Sequence, residues 1–177
     1  GEYPDEVAGM VLVEASHPEQ FTRFAELGVV NEIPDAGIRP VIWMLSHLGS
    51  SGRFKGPRYS MPEDVYMTQQ AYLPVSSMAW YDESVYAPDT LEQAGRIDDL
   101  GDIPLIVLAS AKPSSALSAD RSQELVNAWI ALQTELAGLS TNGELRIFED
   151  AGHYLHDENP DAVIQAVLDV VEAVKSR

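Results

Sequence analysis

A parallel α/β sheet flanked by helices is the fold class this sequence predicts, and three observations predict it. Two runs, Val7 to Glu14 and Ile103 to Ser110, are apolar almost without alternation, the mark of strands buried on both faces. Strand-like and helix-like segments then alternate to the end of the chain, the order that joins parallel strands through crossover helices. Between the two buried runs lies a long stretch with no strand pattern, which reads as an insertion placed over the sheet.

The first run, Val-Ala-Gly-Met-Val-Leu-Val-Glu, stops at a carboxylate. The insertion, from His17 to about Leu100, holds Trp43, Trp80 and most of the tyrosines. It also holds the Gly- and Pro-rich runs Leu48-Gly49-Ser50-Ser51-Gly52 and Lys55-Gly56-Pro57-Arg58. Helical pieces are predicted over Pro18 to Leu27, Val41 to Leu48 and Pro62 to Leu73. The second buried run follows Gly101-Asp102 and precedes Pro113. Leu125, Ala128, Trp129, Leu132, Leu136 and Leu139 then recur at helical spacing and predict a crossover helix, with Ser118 or Asp120 as N-cap and Gly138 near its end. A third strand, Glu144 to Glu149, follows the turn-forming Thr141-Asn142-Gly143 and alternates more clearly, which places it nearer an edge. Asn159 caps a last helix that starts on Pro160 and carries Val163, Val167, Val170 and Val174 as its inner stripe. There is no internal repeat and no low-complexity tract.

Composition bounds the function. A chain of 177 residues, 45% hydrophobic and 22% charged, is long and apolar enough for one domain with a sizeable core. Its formal net charge of -17 repels phosphate backbones and anionic lipid heads, so nucleic-acid binding is not expected. The absence of cysteine removes disulfides, thiolate catalysis and sulfur-ligated zinc while leaving the redox compartment open. No apolar run approaches the roughly 18 residues of a membrane span, and Gly-Glu-Tyr-Pro-Asp-Glu resembles neither a signal nor a transit peptide. A soluble chain is expected, with the cytoplasm favoured only by default. Because the sequence opens on Gly rather than Met, Gly1 is expected to follow a processing site, an artificial boundary or a longer upstream piece.

The chemistry gathers after the third strand, in Glu149-Asp150-Ala151-Gly152-His153-Tyr154-Leu155-His156-Asp157-Glu158-Asn159-Pro160. Gly152 is expected to let the backbone turn sharply at the carboxyl end of a strand, where open α/β sheets place reactive groups, and so to present His153 there. In this context the chain resembles the α/β-hydrolase superfamily, in which a Gly-His pair after the last strand supplies the general base and a Pro-led helix closes the domain. Residues Tyr3 to Ser16 look like the strand after the nucleophile-bearing helix, and Asp102 to Leu108 like the penultimate strand. The resemblance covers essentially the whole chain and implies the C-terminal part of such a sheet with a mainly helical cap. It divides the chain into a core strand and acid loop over 1–16, a cap or lid over 17–100, and core strands, crossover helix, catalytic-His loop and C-terminal helix over 101–177.

The same resemblance implies a triad in the order Ser, acid, His, with the Ser in a Gly-x-Ser-x-Gly elbow upstream of this segment. No such elbow is present; Gly49-Ser50-Ser51-Gly52 has the wrong spacing and no buried strand before it, so Ser50 and Ser51 are rejected as nucleophiles. Glu14, ending the earlier strand, is the favoured acid, and Asp120 is the alternative on the later one. Glu14 has a plainer rival reading as a strand-end carboxylate bonded to backbone amides, and His153 one as a packed structural histidine. His156 reads as solvated, and His17 and His47 as helix-cap residues rather than ligands; no metal and no cofactor are implied. Trp43, Trp80, Tyr72, Tyr81 and Tyr86 are candidates either to line an acyl pocket or to pack within the cap.

What the resemblance implies is a serine-type hydrolase of carboxylic esters or related acyl compounds, with His153 as base and Glu14 as its orienting acid. The expected partners are an N-terminal half, as segment or separate chain, that carries the nucleophile and covers the open edge of the first strand, and a small hydrophobic ester-like substrate. Epoxide, haloalkane or carbon-carbon bond hydrolysis and cofactor-free haloperoxidation use the same histidine and stay open. So does a catalytically incomplete, hydrolase-derived binding subunit.

Overall fold

The computed structural model describes residues 3–29, 34–47 and 62–177; Leu48, Ser50, Ser51 and the run Lys55 to Arg58 lie outside the described residues. The chain forms two compact units, residues 1–30 with 91–177, and residues 31–90.

In the first unit three strands, β1 (Met10–Val13), β2 (Leu105–Ser110) and β3 (Gly143–Phe148), form a parallel sheet in the order β1-β2-β3. The ladder opens with the Met10 amide donating to the Pro104 carbonyl at 2.8 Å. Val7 and Ala8, read from sequence as strand, precede it and are exposed. β2 starts at Leu105, two residues later than expected; the residue before it, Pro104, has no N–H to give a ladder. β2 is the middle strand, and its side chains alternate between two layers. Ile106 and Leu108 join Ala151, Leu155, Ala166 and Val170 on one face. Leu105 and Val107 join Leu136 and Ala137 on the other. This two-sided burial is why both runs read as continuously apolar in sequence.

Each layer has its helix. α1 (Gln20–Glu26) packs on α4 (Ala119–Ala137), and α4 covers the second layer with Leu132 and Leu136 buried. Its N-cap is Ser118, whose side chain accepts from the Arg121 amide, while Asp120 sits in the first turn; of the two expected caps, Asp120 is the one the structure corrects. The short α5 (Leu155–Glu158) leads into α6 (Pro160–Lys175), capped by Asn159, whose side chain accepts from the Ala162 amide. The inner stripe of α6 needs one correction. Ala166 is fully buried while Val167 is 46% exposed, because steps of three and four residues run Val163, Ala166, Val170, Val174. Gly143 opens β3 where a methyl group would run into the Ala137 carbonyl oxygen, so the close approach of helix end and strand start requires glycine.

The second unit holds α2 (Arg39–His47) and, up to Thr90, α3, which runs Glu63–Ala94. The helix expected to end near Leu73 continues through Pro74 and Pro88. Each proline removes one ladder donor, a local loss that the surrounding turns carry without breaking. Tyr81 is buried and donates its hydroxyl to the Asp35 carbonyl at 2.6 Å, and Arg39 grips Asp82 with a two-nitrogen fork at 2.7 and 2.8 Å. Among the described residues no helix is long and apolar enough to cross a membrane.

Candidate active site

Three parallel strands end on the same edge, and that is what brings distant residues together. Glu14 follows β1, Ser110 ends β2, and His153 lies in the loop after β3. The Glu14 amide extends the ladder by donating to the Leu108 carbonyl at 2.9 Å. Its backbone then turns into the left-handed region, with φ 50; among the described residues it is the single non-glycine residue with positive φ. Such a conformation costs on the order of 1–3 kcal/mol for a residue with a side chain, and the surroundings of Glu14 over-determine it. The Ser110 amide donates to Oε1, and the Ser110 hydroxyl donates to Oε2 at 2.9 Å. Oε2 also lies 3.1 Å from His153 Nδ1.

Burial is divided sharply across this pair. The Glu14 side chain is 6% exposed and that of His153 is 72% exposed. The carboxylate is therefore fixed inside the strand ends while the ring stands out from them. A carboxylate that accepts from two Ser110 donors uses Nδ1 as a third donor, which leaves Nε2 as the basic nitrogen of a neutral imidazole. Nε2 has no hydrogen-bond partner among the described residues. Glu14 thus bonds a backbone amide, as its plainer reading requires, and the imidazole as well. His153 is not packed in the core.

The loop that carries His153 is held from below. The Gly152 amide donates to Glu158 Oε2 at 2.9 Å, and a Cβ at Gly152 would sit 2.9 Å from Glu158 Oε1. The close approach is to the end of a side chain, so a Cβ here asks Glu158 to shift, and the φ of Gly152 is not positive. Lys112 Nζ lies 3.9 Å from the same Oε2.

Asp120, the alternative acid, is exposed on α4; among the described residues Glu14 is the carboxylate that bonds His153. His156 is exposed, 3.8 Å from Asp157. His47 ends α2, with Nδ1 2.8 Å from the Trp43 carbonyl. His17 is buried just before α1, where its Nδ1 accepts from the Glu19 amide at 3.1 Å. Burial, with Arg23 adding to it, pushes the His17 imidazole below its ordinary value, against the opposing pull of Glu135. Among the described residues no cluster of three His, Asp or Glu side chains could hold a metal ion.

A cleft of about 330 Å³ opens beside the pair. Its polar lining is Glu14, Gln20, Ser110, Lys112, Ser114, Ser122 and His153; its apolar wall is Phe24, Leu117, Leu125, Val126 and Trp129. Of the aromatic residues singled out from the insertion, Trp43, Trp80, Tyr72 and Tyr86 are each more than half exposed, and Tyr81 is buried within the second unit. Sequence reasoning missed Ser110, Phe24 and Trp129 as site residues. The available signals were that Ser110 is the polar end of the second buried run, as Glu14 is of the first, and that Trp129 follows Leu125 by one helical turn.

Comparison with known proteins agrees with this architecture. The structure of MenH from S. aureus, an α/β-hydrolase-fold protein, superposes on 96% of this chain with a TM-score of 0.52 at 13% identity. The chain carries part of an α/β-hydrolase fold. It spans 60% of the length of that MenH chain. No protein-family model matches the sequence, and no curated protein matches it.

Proposed function

We propose that this chain is the C-terminal portion of a serine-type α/β-hydrolase acting on carboxylic esters or related acyl compounds. One observation carries the reading: a buried carboxylate, Glu14, bonded at 3.1 Å to Nδ1 of an exposed histidine at the carboxyl edge of a parallel sheet. In this reading His153 Nε2 takes the proton of an attacking hydroxyl and returns it to the leaving group. Glu14 holds the tautomer and stabilises the imidazolium that forms between those steps. The nucleophilic Ser and the oxyanion hole come from an N-terminal segment or a separate chain, since one amide of that hole directly follows the nucleophile. In this reading residues 17–100 are the cap segment.

The test is His153→Ala in the protein joined to its nucleophile-bearing part, assayed on aryl and alkyl esters. Turnover is expected to vanish; near-normal turnover would remove the proposal. A second reading, a hydrolase-derived binding subunit, is favoured by the absence of any Gly-x-Ser-x-Gly in these 177 residues. A serine-directed phosphonate applied to the natural assembly separates the two, because a binding subunit takes no label. An upstream Asp in place of Ser would redirect the chemistry to epoxides or haloalkanes.

A further inference from the structure

The cleft at His153 combines two kinds of lining. Beside the carboxylate, hydroxyl and imidazole of the site, and the polar Lys112, Ser114 and Ser122, it is lined by Leu125 and Trp129, one turn apart on α4, by Phe24 of α1 and by Leu117. Leu117 is 43% exposed, and the rest of this wall is only half-buried. Apolar surface held open to water is stabilised by whatever apolar body covers it, and apolar lining with convergent polar groups is how small-molecule sites are built. At about 330 Å³ the cleft is at the small end of the range for ligand pockets, about 300–1,000 Å³, which suits one ring or a short chain. Gln20 lines the same cleft, and its carboxamide oxygen is buried without a hydrogen-bond partner. An unmet buried acceptor is unfavourable, and the terminal torsion of glutamine is soft enough to turn that oxygen toward a donor arriving in the cleft.

We infer that this cleft is the subsite for the apolar part of the substrate, and that it selects an aromatic group carrying a hydroxyl donor, seated on Trp129 with the hydroxyl bonded to Gln20. The inference rests on the hydrolase reading of His153 and Glu14 and deepens it by naming the group that reading places next to the reacting carbonyl.

Trp129 is its own reporter. With Trp43→Phe and Trp80→Phe, both at exposed positions, the 177-residue chain keeps a single indole in the cleft. It is titrated with phenylacetamide, 4-hydroxyphenylacetamide and, as control, acetamide, none of which needs a nucleophile. Saturable emission changes are expected with both aryl amides and none with acetamide. The hydroxylated amide should bind about five-fold more tightly, the equivalent of about 1 kcal/mol for one neutral hydrogen bond. Gln20→Leu should erase that five-fold preference while keeping phenylacetamide binding. Leu117→Arg should weaken both aryl amides at least ten-fold, and Leu117→Ala several-fold should the arginine disturb folding. A non-saturating response, or affinities unmoved by both Leu117 variants, overturns the subsite; equal affinity for the two aryl amides overturns the role of Gln20. Binding that survives His153→Ala while ester turnover also survives it would sink the hydrolase reading and leave the subsite standing. Lost binding with His153-dependent turnover would do the reverse.

Discussion

Ser110 donates twice to the Glu14 carboxylate, from its amide and from its hydroxyl, before that carboxylate reaches any other residue's side chain at His153. The end of β2 therefore sets the position of a group that belongs to the end of β1, and the two strands act as one mount for the imidazole. The arrangement also explains how a residue with φ 50 is tolerated, since the side-chain bonds reward the backbone turn that allows them.

Ser110→Ala removes the hydroxyl bond and keeps the amide bond. A hydrogen bond to a charged group contributes about 1.5–3 kcal/mol, so stability should fall within that range by urea unfolding of the chain. In the protein with its nucleophile, kcat should fall roughly ten-fold through looser placement of Glu14. Ser110→Thr, which keeps the hydroxyl on a strand that favours β-branching, should restore both. Equal damage from Ala and Thr would show that only packing matters at this position.

Glu14→Gln tests the carboxylate with little change of shape. Loss of the orienting acid in a triad lowers kcat by about 10⁴-fold, and a loss of that order is expected here. In the isolated chain the imidazole ¹⁵N shifts of His153 should report Nδ1 protonated in the native protein and a mixture of tautomers in the variant. Asp120→Asn should leave both readouts unchanged; an effect there as large as at Glu14 would reassign the acid.

Sequence made the core legible because β2 is buried on both faces, and water tolerates an unbroken apolar run in few settings besides a two-sided core. The position of His153 was legible because its loop directly follows the third strand in sequence, and parallel strands bring their carboxyl ends to one edge. Ser110 was hidden because a serine closing a strand is common, and only the parallel register, with Val13 paired to Leu108, shows that it stands beside Glu14. Trp129 was absorbed into the helical stripe of α4, since one-dimensional periodicity cannot tell the flank of a helix that lines a cleft from the flank that meets the sheet. Two prolines concealed the length of α3, where cooperative helix on either side outweighs a lost donor.

His17 makes stability depend on pH. Its folded-state value is depressed below 6.5, so below that pH the unfolded chain takes up a proton that the folded chain refuses. Protonation then favours unfolding: the stability is complete above pH 6.5 and is lost as pH falls through the depressed folded value. Urea midpoints measured from pH 7.5 to 5 should drop more steeply for the native chain than for His17→Gln, which cannot titrate. Parallel curves for the two proteins would show that the neutral ring is not the reason.

Gly143→Ala should be among the most damaging single methyl additions in the chain. The new Cβ would meet the Ala137 carbonyl oxygen and lie 3.0 Å from that of Ser140, and neither is the free end of a flexible side chain that can swing away. One is backbone at the end of α4, the other backbone of the turn that sets β3 in register beside Leu105. Relief requires moving the helix end from the strand, and overpacking of this kind costs about 1–3 kcal/mol, here at the upper end or beyond. Gly152→Ala offers the contrast, because its Cβ meets only a carboxylate oxygen of Glu158, a side chain with torsions to spare. Thermal unfolding of the two variants should therefore place Gly143→Ala well below Gly152→Ala. The reverse order would mean that the end of α4 yields more easily than the loop beneath His153.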